Sequence, residues 1–487
     1  MADLTYLRRA ATAVLWPGFL GTTVPPWLAR ALDDGLPGVV LFGQNIDPHD
    51  PERVRELTRS LHAWGPHVMV ASDEEGGTVT RLDQRLGSPL PSHAQLGRID
   101  DTARTREVGV ALGTRCTEVG IDVVLGPVAD VNTDPRNPVI GVRSFGGDPA
   151  LVARHVTAMV QGLHAAGARA CAKHFPGHGD TVVDSHVGSP VFRGSLQDLQ
   201  TVHLPPFRAA IAAGVDALMT AHLTVPPLGA GPATLSARVA ELAREEGFTG
   251  VIVTDALDMA AISATVGPGE GAVAALRAGA DLLCVGNPAN PGRVAGSDEE
   301  DFLRMREAIT DAVLAGRLPL SRLQEAGARV AALGHRCGGI RGRAGRHDRD
   351  FRPLVREVLA RTAQDVQPVG GGPVRAVLDL RPRPTMAVEH RPPHLLDALA
   401  RAGLERVALI RSAADLPREG GIVLCDDLHE GGEQRDALRG VLAHAPGSLV
   451  VNLGLPAVLP EGVLAITTLG DSRVTADVVA ELVAGSR

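Results

Sequence analysis

Aromatic residues are scarce in this chain: one Tyr, three Trp and nine Phe among 487 residues, 3% in all. So thin a supply excludes long stacking platforms for polymeric ligands and favours a pocket for a small one. Cationic excess is missing too. The formal net charge is −8, so no sequence-wide basic surface is offered to nucleic acid or to an anionic membrane. No apolar run reaches membrane-spanning length, and no membrane insertion is expected. Arg8 and Arg9 precede an apolar run, but that run breaks at Pro17 and has no small-residue cleavage site. The stretch reads as a first strand rather than an export signal, with the cytoplasm as the expected location. The five cysteines, Cys116, Cys171, Cys284, Cys337 and Cys425, are scattered and odd in number. No pair has metal-ligand spacing, so reduced and mostly buried thiols are expected.

Hydrophobic content, at 44%, is ample for packed interiors, and the length calls for two or more domains. Short β-rich apolar runs at 11–16, 38–42, 67–72, 121–125, 168–172, 215–220, 250–254 and 281–285 alternate with Arg/Glu/Leu/Ala segments such as 51–64 and 101–119 that read as helices. Eight strands in β-α alternation point to a (β/α)₈ TIM-type barrel over 1–335, with an open doubly wound sheet as the competing architecture. An Arg/Gly-rich tract at 337–351 has no apolar periodicity and reads as a solvated linker. It belongs to a connecting segment, 336–372, that carries a helix over 352–365. Apolar runs resume at 376–380, 407–410, 422–425, 449–453 and 463–466, with helical segments at 393–402 and 434–443. Residues 373–487 are therefore expected to form a smaller α/β domain with an open parallel sheet. It has no Gly-rich phosphate motif of the Rossmann or P-loop kind, and no 20- to 50-residue repeat is evident.

Barrel enzymes carry their chemistry at the carboxyl ends of strands, and polar residues gather there. Asp73 ends the third strand; Asp130, Asp134 and Arg143 follow the fourth; Lys173 and His174 end the fifth; His222 follows the sixth; Asp255 ends the seventh. The densest stretch is AKHFPGHGDTVVDSHVG, from Ala172 to Gly188. Cations, imidazoles and carboxylates are costly to group unless they pair or meet a ligand, and the Pro and Gly residues prevent a regular helix or strand. His174 and His178 are four apart, but a metalloprotease-type site needs them on a helix with an adjacent Glu, so no metal is expected. Asp184 and His186 flank Ser185, close enough for the carboxylate to orient the imidazole as a general acid/base. Asp255 starts a segment that reads as a helix over 256–265. It could cap that helix, although Thr254 and Asp258 lie close by as capping candidates, and its place at the barrel mouth favours catalysis. Arg143 and Lys173 offer donors and Asp73 an acceptor, a mixture suited to an uncharged, hydroxyl-rich ligand such as a sugar.

These residues resemble the bacterial β-N-acetylglucosaminidases of glycoside hydrolase family 3. The matching segments are SDEEGGTVTRL, GPVADVNTDPRNPVIGVRSFG, KHFPGHGDTVVDSH, MTAHL and VIVTDALDM, in order from Ser72 to Met259. The resemblance implies Asp255 as nucleophile, with a covalent glycosyl-enzyme and net retention, and His186 steered by Asp184 as acid/base. It further implies that Asp73, Arg143, Lys173 and His174 bind the sugar, while Arg81 and His222 match motif positions with roles less defined. The implied partner is a small carbohydrate, with no cofactor. Nothing in the sequence sets an oligomeric state. The alternatives are a β-N-acetylglucosaminide or β-glucoside phosphorylase using the same site, a β-glucosidase without N-acetyl preference, and a non-catalytic sugar-binding protein. The last would be expected only if Asp255, Asp184 or His186 were missing.

Overall fold

The computed structural model describes residues 3–47, 49–183, 188–290, 297–339, 349–362, 374–382, 387–389, 394–404, 406–460 and 462–485. Most of the Arg/Gly-rich tract, 340–348, lies outside them. The chain divides into two compact units. One comprises 1–75, 102–140 and 147–347; the other comprises 76–101, 141–146 and 348–487.

The first unit is a TIM-type barrel. Its parallel strands are β1 (Leu15–Pro17), β2 (Gly38–Leu41), β3 (Met69–Ser72), β4 (Val123–Val124), β5 (Arg169–Phe175), β6 (Ala217–Thr220), β7 (Val251–Thr254) and β8 (Leu283–Gly286). Strands β2 to β7 form one continuous parallel ladder in chain order. A parallel bridge between Val253 and Leu282 links β7 to β8, and β8 pairs with β1, Leu15 opposite Leu283. The interior is filled by Trp16, Val40, Met69, Ala71, Val123, Cys171, Ala217, Val251, Val253 and Cys284, all buried. Of the first strand expected over 11–16, Ala11 and Thr12 instead complete a helix, Leu4–Thr12, capped by Asp3 accepting from the Thr5 amide. Leu7 and Ala11 lie one turn apart on its buried side, so helical periodicity wins there and β1 starts only at Leu15.

A short motif recurs at the amino ends of the even strands. Gly120-Ile121-Asp122, Gly214-Val215-Asp216 and Gly279-Ala280-Asp281 each place a glycine at positive φ, 79°, 80° and 109°, to leave the preceding helix. Each aspartate then accepts the backbone N–H of the neighbouring odd strand: Val70 at 2.9 Å, Ala170 at 3.1 Å and Ile252 at 3.0 Å. Each carboxylate also meets basic groups: His62 on Asp122, His164 on Asp216, and Arg244, Arg322 and Arg329 on Asp281. The side chain extends the ladder by one bond and ties a helix to the strand.

The second unit holds a parallel sheet of β9 (Ala376–Asp379), β10 (Ala408–Ile410), β11 (Ile422–Cys425), β12 (Leu449–Asn452) and β13 (Ala465–Thr467), in the order β10-β9-β11-β12-β13. Sheets wound this way bind ligands beyond the carboxyl ends where the order reverses. Here Arg381, with its side chain 3% exposed, is ion-paired there to Asp379 and Asp471. Segment 76–101 belongs to this unit: Ser92 Oγ donates to Leu469 O, and Gln95 Nε2 donates to Thr468 O at 2.8 Å and to Thr475 Oγ1 at 3.0 Å. All five cysteines are free and buried. Among the described residues no helix is long and apolar enough to cross a membrane.

Candidate active site

Alternation along each strand determines what reaches the barrel axis. Ala71 of β3, Cys171 of β5 and Val253 of β7 are interior residues. Two positions farther on stand Asp73, Lys173 and Asp255. These three form a polar layer above an apolar one, at the carboxyl ends of the strands. Their proximity is felt by the Cys171 thiol beneath them. Burial pushes that thiol up to about 12, with the Lys173 ammonium opposing and Asp73, Asp216 and Asp255 adding to the rise.

Lys173 joins two carboxylates, its Nζ lying 2.7 Å from Asp73 Oδ1 and 2.7 Å from Glu75 Oε1. Glu75 is 2% exposed. A buried ammonium held by two partners has little rotational freedom, so the donor is presented in one geometry.

His174 follows at once, near the end of β5, with cis peptide bonds at Lys173–His174 and Phe175–Pro176. Its Nδ1 lies 2.7 Å from Asp130 Oδ2. Asp130 is fully buried and also accepts the backbone amides of His174, at 3.2 Å, and His178, at 2.7 Å. Burial alone would raise the Asp130 carboxyl; His174 and the hydrogen bonds from His174 and His178 overcome it and hold the group below its ordinary 3.8. A carboxylate only accepts, so Nδ1 of His174 carries the hydrogen. The start of the glycine-rich loop is fastened alongside. Asn137 Nδ2 donates to His178 O at 2.8 Å, and Gly179 runs so close to the chain that an added Cβ would lie 1.8 Å from Val131 O.

His178 is buried, with Nδ1 3.0 Å from Thr181 Oγ1. Burial, helped by His174 and opposed by Asp130, pushes its imidazole from 6.5 down to about 4. Between those values the unfolded chain binds a proton that the folded one refuses. Stability from the neutral ring is therefore complete above pH 6.5 and is lost as pH falls to about 4, by roughly 3 kcal/mol. His178→Gln is expected to flatten a plot of urea midpoint against pH across that window. An unchanged slope would assign the titration to another group.

Asp255 ends β7 with its amide donating to Thr220 O at 3.2 Å, and its Oδ1 accepts from the Ala256 amide at 2.8 Å. The helix expected over 256–265 is confined to Ala260–Ser263, with Met259 as its N-cap. Residues 255–258 form a turn instead, because Asp258 binds outward, to the Asn287 amide at 3.2 Å and Asn290 Nδ2 at 3.0 Å. Asp255 is thus not a helix cap.

The sequence profile of the glycosyl hydrolase family 3 N-terminal domain matches residues 29–333. The chain belongs to this family. Among its relatives, beta-hexosaminidase A of Pseudoalteromonas piscicida is 32% identical over 339 residues, covering 64% of this chain and 55% of that protein. A beta-hexosaminidase of Pseudomonas aeruginosa is 38% identical over 256 residues, 51% of this chain and 75% of its own length. The solved glycoside hydrolase family 3 β-N-acetylglucosaminidase of Paenibacillus sp. str. FPU-7 superposes with a TM-score of 0.82 at 29% identity, covering 99% of this chain and 97% of that one.

Of the residues that the family motifs single out, the barrel unit brings Asp73, Lys173, His174 and Asp255 to one end. Asp255 is also felt electrostatically by His178. His222 is there too, but both of its ring nitrogens meet protein partners: Thr234 Oγ1 at 2.8 Å and Ala256 O at 2.9 Å. Arg81 and Arg143 belong to the second unit. Arg81 Nε lies 3.2 Å from Glu389 Oε1, and Arg143 O accepts from His93 Nδ1 at 2.7 Å. Asp184 and His186 lie outside the described residues. His174 and His178 face edge to face with ring centroids 5.9 Å apart, and among the described residues no group of three or more ligating side chains could hold a metal ion. Glu75 and Asp130 carry no role in the sequence reading. Glu75 could have been found from its i, i+2 spacing to Asp73, whereas the link from Asp130 to His174 depends on β4 and β5 lying side by side.

Proposed function

We propose that this family 3 glycoside hydrolase is a retaining, exo-acting β-N-acetylglucosaminidase that removes terminal N-acetylglucosamine from short cell-wall or chitin-derived glycosides. The observation that supports it most is the Asp255 carboxylate, one step above the apolar barrel layer and on the same end as the Asp73–Lys173–Glu75 group. Asp255 attacks the anomeric carbon as the bond to the leaving oxygen breaks, and that oxygen takes a proton from His186, oriented by Asp184. Water then attacks the same carbon, returns its proton to His186 and frees Asp255. Lys173, Asp73 and His174 bind the sugar hydroxyls, held rigid by Glu75 and Asp130. The names of the relatives supply the N-acetyl preference.

Paired 4-nitrophenyl β-glycosides test the specificity: faster turnover of the N-acetylglucosaminide than of the glucoside is expected, at a rate independent of phosphate. Equal turnover of both, or formation of a sugar 1-phosphate in phosphate buffer, would overturn it. His186→Ala should slow an unactivated disaccharide by roughly 10²–10⁴-fold and an aryl glycoside with a good leaving group far less. Equal slowing of both would remove the acid role from His186.

A further inference from the structure

We infer that His222 is a positioning residue for the Asp255 turn, and not a ligand of the sugar. The inference rests on the reading of Asp255 as nucleophile. His222 is 1% exposed and stands two residues beyond the end of β6. Its Nε2 lies 2.9 Å from Ala256 O. A carbonyl only accepts, so this nitrogen carries the hydrogen. In the neutral ring Nδ1 is then an acceptor, and the Thr234 hydroxyl lies 2.8 Å from it. Thr234 is itself buried and 3.0 Å from Thr220 Oγ1, and the main-chain carbonyl of Thr220 receives the Asp255 amide.

The contacts close on one residue. Ala256 is held at its carbonyl by His222 and at its amide by Asp255 Oδ1, 2.8 Å away. Rotation of Ala256 would swing the very amide that anchors the carboxylate oxygen. His222, Thr234 and Thr220 therefore fix the angle at which Asp255 faces the barrel axis. A ring so buried, with both nitrogens engaged by the protein, has no polar atom to offer a sugar hydroxyl. Misplacing a nucleophile slows the bond-forming step without weakening the ground-state complex.

The test compares His222→Leu, which packs without polar atoms, with His222→Gln, whose amide keeps a donor for Ala256 O and an acceptor for Thr234. With the aryl N-acetylglucosaminide, His222→Leu is expected to lower kcat by roughly 10²-fold while KM stays within about a factor of two. His222→Gln should recover activity to within about tenfold of wild type. A KM raised by about tenfold at unchanged kcat would make His222 a sugar ligand and overturn the inference. Equal losses in the Leu and Gln variants would reduce it to packing and overturn it as well. Labelling with a 5-fluoro N-acetylglucosaminyl fluoride, followed by peptide mass spectrometry, separates the two readings. Absence of label on Asp255 in the wild type refutes the nucleophile itself. Label on Asp255 at equal rates in wild type and His222→Leu refutes the positioning role alone.

Discussion

Asp255→Ala is expected to lower kcat on aryl β-N-acetylglucosaminides by about 10⁴-fold or more, with the fold intact by circular dichroism. The size of the effect follows from what surrounds it. Among the described residues at this end of the barrel, Asp73 and Glu75 are paired with Lys173 and Asp130 with His174, while Asp258 is held by Asn287 and Asn290. None of them stands in line with Val253 on β7, so none can take over an attack from that strand. Azide supplied to the Asp255→Ala enzyme should restore part of the rate and give the α-glycosyl azide, because a single displacement inverts where two retain. Anomeric proton NMR reads both products. A variant within about tenfold of wild type would place the nucleophile elsewhere.

The second large effect is on stability. Asp281 is fully buried and accepts from Arg244 Nη2 at 2.7 Å, Arg322 Nη2 at 2.6 Å, Arg329 Nη1 at 3.2 Å and the Ile252 amide at 3.0 Å. Burial pushes the Arg244 guanidinium below its ordinary value, with Asp281 opposing and Arg329 adding to the fall. Asp281→Ala would leave three guanidinium groups facing one another and one strand amide unpaired. The expected loss is about 3–5 kcal/mol. Trp16, Trp27 and Trp64 all lie in the barrel unit, so tryptophan fluorescence during urea unfolding reports that unit alone. Turnover at 25 °C should change by less than about twofold, because Asp281 precedes β8 at the end of the barrel away from the chemistry. A loss below about 1 kcal/mol would mean that the arginines find water or other partners as readily.

Much of this architecture was legible because each barrel strand is a short β-rich run, and the third, fifth and seventh are closed by a charged residue. The same regularity made Asp73, Lys173 and Asp255 visible as strand-end residues, and strand alternation alone carries them to the axis. The first strand starts later than expected because Ala11 and Thr12 belong to a helix, and only the burial of Leu7 and Ala11 on one helical side decides between the two elements. The segment after Asp255 was misread as a full helix because its composition is helical, whereas Asp258 reaches Asn287 and Asn290 some thirty residues away. Asp130 acts through His174, which only the pairing of β4 with β5 brings near, and Thr234 acts through His222 by the folding back of the segment after β6. The recurrent Gly-x-Asp could be seen in the letters, but its purpose needs the free amide of the strand alongside.

That recurrent motif has one more consequence. Charged side chains at the two rims of the cylinder face each other across the apolar interior, and Cys171 between them feels Asp216 from one rim and Asp73 and Asp255 from the other. A thermostabilising redesign of the lower rim, for instance by trading histidine partners of Asp122 or Asp216 for arginine, would therefore be transmitted in part to the carboxylates at the upper rim, since a dry interior screens charge poorly.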